Sequence, residues 1–296
     1  MEAQINDPKI IFWGTPNFSV FILEELKKCG ILPDLIIASP DKPKGRNLIM
    51  TPPPVKIWAD KNNINSLQPE KLKDLKLEGS YVLCILAAYG KIIPQNILSL
   101  PKFGFLNVHP SLLPKWRGPS PMQYSILSGD EETGVSIILL DEEMDHGPII
   151  RQEKISLKNH KPTYTELEKM SAEIGGKMLC EIIPKWIGGE IKPITQDHSK
   201  ATFCKKIEKK DGFIRPEIIL GLEKDQNKIM EAERKVRALN PDPGTYTIIK
   251  IREKDIRIKI ISAKIEENKF FPEKIIPEGK KEMLWNDFLK GNKLGS

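Results

Sequence analysis

The sequence predicts an α/β protein: a mostly parallel sheet forms a large first domain, and a smaller β-rich module follows it. Three observations lead there. Short apolar runs alternate with segments of helical period through most of the chain, and the run Phe105 to His109 is stopped by a proline. The last third changes to the two-residue alternation of sheet strands and gains basic charge. With 296 residues the chain is about twice a typical domain, which suits one large unit with a companion.

Lys9-Ile10-Ile11-Phe12-Trp13 reads as a strand, Gly14 to Phe18 as a tight turn, and Phe18 to Cys29 as a helix ended by Gly30. Gly14 alone does not make a GxGxxG fingerprint, so no nicotinamide dinucleotide is expected. Leu35 to Ser39 is a second strand, and a long proline-rich loop from Pro40 to Pro54 carries Lys42, Lys44 and Arg46. Val55 to Asn62 reads as a short helix. Tyr81 to Ala87 is continuously apolar, as in a strand buried on both faces, and Ala87-Ala88-Tyr89-Gly90 closes it at the sheet end where ligands bind.

Asn107 and His109 alternate with Leu106 and Val108, so both polar groups project from one face of their strand. Pro110 cannot donate to a ladder, which leaves His109 at the carboxyl end. Ser111 to Pro114 forms an apolar turn, and Lys115-Trp116-Arg117-Gly118 places an aromatic and two cations at the rim. After a helix from Pro119 to Leu127, Val135 to Leu140 is a buried strand that delivers the acidic turn Asp141 to Gly147. From that turn either Asp145 or Asp141 can sit beside His109. An amide, an imidazole and a carboxylate without a Ser or Cys nucleophile suit chemistry in which the substrate brings its own nucleophile. The amide and imidazole would stabilise an oxyanion, and the carboxylate would orient the imidazole and take up protons.

Thr163 to Ile187 has helical spacing, interrupted near Pro184, and reads as core packing. A polar stretch then divides the chain into a domain of residues 1–189, a linker of residues 190–204 and a module of residues 205–296. In the module, Glu223 to Leu239 is a charged helix that clusters Arg234, Lys235 and Arg237, and Asn240 to Gly244 breaks it. Alternation in Tyr246 to Arg252 and Asp255 to Ile261 indicates strands, compatible with an OB-like barrel.

The net charge of +6 is unevenly placed. Residues 1–204 hold 24 basic and 24 acidic side chains, and residues 205–296 hold 22 and 16. A basic appendage on a neutral body points to a polyanionic partner, nucleic acid ahead of membrane. Cys29, Cys84, Cys180 and Cys204 are scattered, with no CxxC and no His at ligand spacing, which argues against zinc and against a disulfide framework and favours a reducing cytoplasm. No apolar run approaches the roughly 18 residues of a membrane span, and the first residues are polar and acidic, so neither secretion nor membrane insertion is expected.

Asn107-Val108-His109-Pro110-Ser111-Leu112-Leu113-Pro114, Arg117-Gly118, Gly134-Val135 and Met144-Asp145-His146-Gly147 keep their mutual spacing in a pattern that resembles the folate-dependent formyltransferase family. The turn at Gly14 to Phe18 is similar to the family's GTP-[DE]-F, with Asn17 where an acid is usual. Asp41, Pro43, Gly45 and Arg46, together with Arg237 to Pro241 and Gly279 to Met283, resemble the members that formylate charged tRNA. The resemblance implies a Rossmann-like catalytic domain with an OB-like appendage. It implies that Asn107, His109 and Asp145 are catalytic, Asp145 being preferred to Asp141 because Asp145-His146-Gly147 matches the family's D-x-G. Ser111, Leu112, Leu113 and Pro114, with Ala88, Tyr89 and Gly90, would bind 10-formyltetrahydrofolate as formyl donor, with no metal. The acceptor would be methionine-charged initiator tRNA, contacted by Lys42, Lys44, Arg46, Arg234, Lys235 and Arg237, and a monomer is expected. Departures are a long Ile214 to Asn227 connection, Asp242 in place of a commonly aromatic residue, and His146 at a position more often small. Formyl transfer to another amine such as a sugar nucleotide or purine precursor, hydrolysis of the same folate, and noncatalytic RNA binding are the competing readings.

Overall fold

The computed structural model describes residues 9–45, 48–77, 79–158, 160–251 and 254–292. The chain forms two compact units, one of Met1–Pro119, Thr133–Ser156 and Glu168–Cys204, the other of Ser120–Glu132, Leu157–Leu167 and Lys205–Ser296.

In the first unit the strands are β1 (Ile10–Gly14), β2 (Leu35–Ile37), β3 (Lys42–Lys44), β4 (Ile49–Thr51), β5 (Asn65–Leu67), β6 (Leu83–Ala87), β7 (Phe105–His109), β8 (Glu132–Leu139) and β9 (Ile149–Ser156). Seven of them form one sheet in the order β5-β2-β1-β6-β7-β8-β9. Pairing is parallel from β5 to β7 and antiparallel between β7 and β8. Every residue of β1 and of β7 is buried, which is why both read as unbroken apolar runs apart from the two polar groups on β7. The mostly parallel Rossmann-like sheet is as the sequence predicts.

Helices α1 (Asn17–Lys28), α2 (Pro54–Lys61) and α3 (Gln95–Leu98) follow strands of this unit, α4 (Pro121–Ser128) lies in the second unit, and α5 (Tyr164–Ile187) is the longest. α5 continues through Pro184, where an interruption was expected. The proline sits in the last turn, where the loss of one helical bond costs least. Gly175 and Gly176 let α5 approach the sheet and α1 closely. A Cβ on Gly175 would lie 2.6 Å from Val108 Cγ1, and one on Gly176 would lie 2.5 Å from Glu25 Cβ. The loop after β2 is also more ordered than its prolines implied, because β3 and β4 pair as a hairpin with Lys42 opposite Thr51 and Lys44 opposite Ile49.

One cysteine expectation is corrected. Cys29, the C-cap of α1, and Cys180 of α5 are joined by a disulfide across 151 residues. Sequence spacing could not show this, since the two meet only because α5 packs on α1. Cys84 and Cys204 are buried and outside any disulfide, and burial pushes the Cys84 thiol up to about 12, far from a thiolate nucleophile at neutral pH.

The second unit is the smaller, β-rich part. β10 (Thr245–Ile251), β11 (Lys254–Glu266), β12 (Lys269–Pro277) and β13 (Met283–Leu284) form an antiparallel sheet in chain order. Inward residues alternate along β10, and its core gathers Ile249, Ile258, Ile260, Phe270, Ile275 and Trp285. Helices α6 (Pro216–Ile219), α7 (Gln226–Leu239) and α8 (Trp285–Gly291) complete it. α7 starts three residues later than its charge pattern suggests, because Asp225 accepts a bond from Asn227 N and caps it.

Removal of the disulfide in a Cys29→Ser/Cys180→Ser variant should lower unfolding stability by about 2–4 kcal/mol, as closing a long loop does. In urea titrations a thiol reductant should bring the parent protein to the variant's midpoint and leave the variant's own midpoint unmoved.

Candidate active site

β7 places Asn107 and His109 on one face, and the strand ends at His109 as Pro110 requires. Both side chains are nearly buried, at 6% and 5% exposure. The carboxylate has a longer way to come. Because β8 runs antiparallel to β7, with Leu106 opposite Leu139 and His109 opposite Ser136, the turn after β8 begins beside the first residues of β7. It has to fold back along the strand's face to deliver Asp145. Once there, Asp145 Oδ1 lies 3.4 Å from Asn107 Nδ2 and 3.4 Å from His109 Nδ1. Its other oxygen, Oδ2, accepts the Gly118 amide at 2.8 Å.

His109 Nε2 donates to Trp116 O at 3.0 Å. A carbonyl can only accept, so Nε2 is the donor of this bond, and Nδ1 is the ring nitrogen that faces Asp145. Asp141 is elsewhere. Its Oδ2 accepts from His146 Nδ1 at 2.6 Å, so Asp145 is the carboxylate beside His109.

The backbone around these groups is strained. Asp145 and Trp116 have φ of 51° and 61°, left-handed values that cost a non-glycine residue on the order of 1 kcal/mol or more. Gly118 has φ +120°, and a Cβ there would meet Cys204 O at 2.3 Å. Only glycine can bring its amide to Asp145.

Sequence reasoning missed part of the site. Arg117, expected at the rim, is 4% exposed because its guanidinium is turned inward to Gln196 and His198. Gln196 is equally buried and donates from Nε2 to Asp145 O at 2.9 Å and to Gly147 O at 2.7 Å. Residues 190–204, expected as a linker, are knitted into the first unit through Ile149 paired with Ile194 and Arg117 paired with Phe203. The one sequence signal is the pair Gln196-Asp197, which resembles a Q-D pair of the folate-dependent formyltransferases.

Of the expected folate contacts, Ser111 and Leu113 face inward. Ser111 Oγ donates to Lys115 O at 2.6 Å, and Leu113 N donates to Ser136 Oγ at 3.0 Å. Leu112 and Pro114 stay half-exposed. Leu86 of β6 pairs with Asn107 of β7, so the turn at residues 88–90 leaves the sheet at the end where His109 lies. Ala88 and Gly90 are exposed there with φ of 50° and 81°. Tyr89 instead packs edge-on to Trp13 with 1% exposure, and burial pushes its phenol up to about 12.

Among the expected tRNA contacts, Lys42 and Lys44 are exposed on the β3–β4 hairpin, and Arg46 lies outside the described residues. In the second unit Arg237 is held by both Glu233 oxygens and by Pro162 O. Arg234 packs on Gly129, where an added Cβ would lie 2.6 Å from Nη1, and Lys235 is half-buried. Among the described residues no group of three or more His, Cys, Asp or Glu side chains is placed to hold a metal ion, and no helix is long and apolar enough to cross a membrane.

Residues 8–183 match the family described as formyl transferase. The methionyl-tRNA formyltransferase of Chloroflexus aurantiacus is 40% identical over 250 residues, 81% of this chain and 76% of the relative. Those of Myxococcus xanthus and Bacillus velezensis are 34% and 37% identical, covering 97% and 96% of this chain and 96% and 94% of their own. In fold the chain is similar to the methionyl-tRNA formyltransferase of Clostridium thermocellum, with a TM-score of 0.57 at 18% identity over 91% of this chain and 98% of the other. It is also similar to an N-formyltransferase of Helicobacter canadensis solved with folinic acid and dTDP-3-aminofucose, with a TM-score of 0.60 at 20% identity over 88% of each chain.

Substituting Gly118→Ala should destabilise the protein by about 2–4 kcal/mol, since strain and a backbone clash act together. Thermal unfolding read by circular dichroism measures it.

Proposed function

The chain belongs to the formyl transferase family, and from that premise we propose that it transfers the formyl group of 10-formyltetrahydrofolate to the α-amino group of methionine on initiator tRNA, for translation initiation. The observation that carries this reading is the convergence of Asn107, His109 and Asp145 within 3.4 Å of one carboxylate oxygen.

The residues fit both substrates. Leu112 and Pro114 offer an apolar wall, and the exposed turn at Ala88 and Gly90 offers backbone unobstructed by bulky side chains. Ser111, Leu113 and Tyr89 hold these two segments from behind. 10-Formyltetrahydrofolate supplies an activated formyl group; the acceptor amine supplies the electron pair. Asn107 and His109 aim donors at the oxyanion that develops as the amine adds to the formyl carbon, and one such donor is worth about 10²–10³ in rate. A substrate oxygen that replaces Trp116 O on Nε2 would keep the imidazole fully bonded. Asp145 holds Nδ1, accepts a proton from the adding amine and passes it toward the folate nitrogen as the old C–N bond breaks.

Lys42, Lys44 and Arg46, together with Arg234, Lys235 and Arg237, are proposed to meet the tRNA. Residues 1–189 would carry the chemistry, 190–204 would join the parts while contributing Gln196, and the basic residues 205–296 would hold the acceptor. The protein is proposed to act as a cytoplasmic monomer. Disulfides persist inside cells mainly in hyperthermophiles, so the Cys29–Cys180 tie is the feature that sits least easily with that compartment.

Purified protein with 10-formyltetrahydrofolate should formylate methionine-charged initiator tRNA and leave charged elongator tRNA and a sugar-nucleotide amine unmodified. Formate release without formylated tRNA would instead indicate a hydrolase. His109→Ala and Asp145→Asn should each lower kcat about 10²–10³-fold, with Asp141→Asn within about tenfold of the parent because its partner is His146.

Replacing Lys42 and Lys44 by Ala should raise KM for the tRNA and flatten its dependence on salt by about one counterion per lost phosphate contact. An unchanged salt slope would remove the hairpin from the tRNA interface.

A further inference from the structure

Beyond the groups assigned to the chemistry, a buried polar cluster of the first unit is centred on Gln196. A glutamine amide has two N–H donors and one oxygen with two lone pairs. Here all four are used. Nε2 donates to Asp145 O and Gly147 O, while Oε1 accepts from Arg117 Nε at 3.2 Å and Nη2 at 2.7 Å. The amide cannot be turned over, because a flip would set donors against the guanidinium and an acceptor against two carbonyls.

We propose that Gln196 is a positioning residue that holds Asp145 in its left-handed conformation, with Arg117 as its anchor. This rests on the formyl-transfer reading for its kinetic consequence and on geometry alone for its structural one. The two pinned carbonyls flank His146, so one side chain fixes the turn on both sides of that ring. The same segment grips the carboxylate directly, since Gly118, the neighbour of Arg117, donates to Asp145 Oδ2. A second strut starts from the same guanidinium: Arg117 Nη2 donates to His198 Nδ1 at 2.8 Å, and the His198 ring stacks on His146 at 4.0 Å with 5° between planes. His146 Nδ1 in turn donates to Asp141.

The atoms that Gln196 bonds all belong to Asp145, Gly147 and the anchor. The contacts from Asp145 Oδ1 to Asn107 and His109 are already 3.4 Å long, so a shift well under 1 Å decides whether they exist. Misplacement on that scale can cost about 10²-fold in rate.

Two substitutions separate positioning from mere stability. Gln196→Glu keeps an oxygen for Arg117, as a charge pair, and sets its other oxygen against the two carbonyls; Gln196→Ala removes both. The expected result is that the Glu variant melts closer to the parent than the Ala variant does, yet both lose about 10–100-fold in kcat with KM for folate and tRNA within about threefold. Hydrogen–deuterium exchange of the substrate-free protein should rise over residues 141–148 in both. Near-parental kcat in either variant, a loss of turnover that simply follows melting temperature, or unchanged exchange over residues 141–148 would overturn the proposal. If the parent itself formylates no acceptor, it is the functional reading that has failed, and exchange over residues 141–148 still decides whether Gln196 holds the turn.

Discussion

The bond from the Gly118 amide to Asp145 Oδ2 is the interaction on which the rest of the site depends. The carboxylate that meets the polar face of β7 follows a strand that runs the opposite way and ends beside the far end of β7. Folding the turn back over the face exposes its backbone to strain, and Asp145 adopts a left-handed φ of 51°. A turn bent in this way stays bent only if several contacts over-determine it. One comes from Gly118, which approaches because it has no Cβ to meet Cys204 O. Others come from Gln196, two residues of turn at a time.

Strain at the site rests on a rigid floor. Trp13, Ile85, Phe105 and Leu106 are essentially inaccessible to water, and each such side chain contributes about 1.5–3 kcal/mol of burial. The glycine pair of α5 lets that helix lie against Val108 and Glu25 with no intervening side chain. β7 is therefore held from behind, and the positions of Asn107 and His109 follow from the sheet rather than from any loop. This division explains why Asn107 and His109 need little local support while Asp145 needs a brace.

The same division decides what was legible in the sequence. Asn107 and His109 were readable because a period of two and a following proline are local properties. Asp145 was only half readable: composition left Asp141 equally eligible, and the choice came from the D-x-G resemblance, which the geometry at His109 then supports. Gln196 looked like part of a polar linker because the groups that define it lie 49 to 79 residues away. The Cys29–Cys180 pair was invisible for the same reason, at a separation of 151. Tyr89 shows the opposite error. Placement of its segment at a sheet end was sound, but the ring turned into the core, where it meets Trp13 edge-on.

Charge was legible as a total and not as a surface. The excess of Lys and Arg in the C-terminal third is real, yet Arg237 spends its guanidinium on Glu233 and Pro162, and Arg234 packs on Gly129. Arginine on an amphipathic helix can serve the fold with its fork and stem, so counting cations overstates what remains for a polyanion. Lys42 and Lys44 differ. They sit on a two-stranded hairpin whose residues are largely exposed, and an exposed ammonium on a short ribbon has little to lose by meeting a phosphate. Of the residues proposed to meet a polyanion, the hairpin lysines are thus the more accessible, whereas the arginines of α7 also keep their own framework in place.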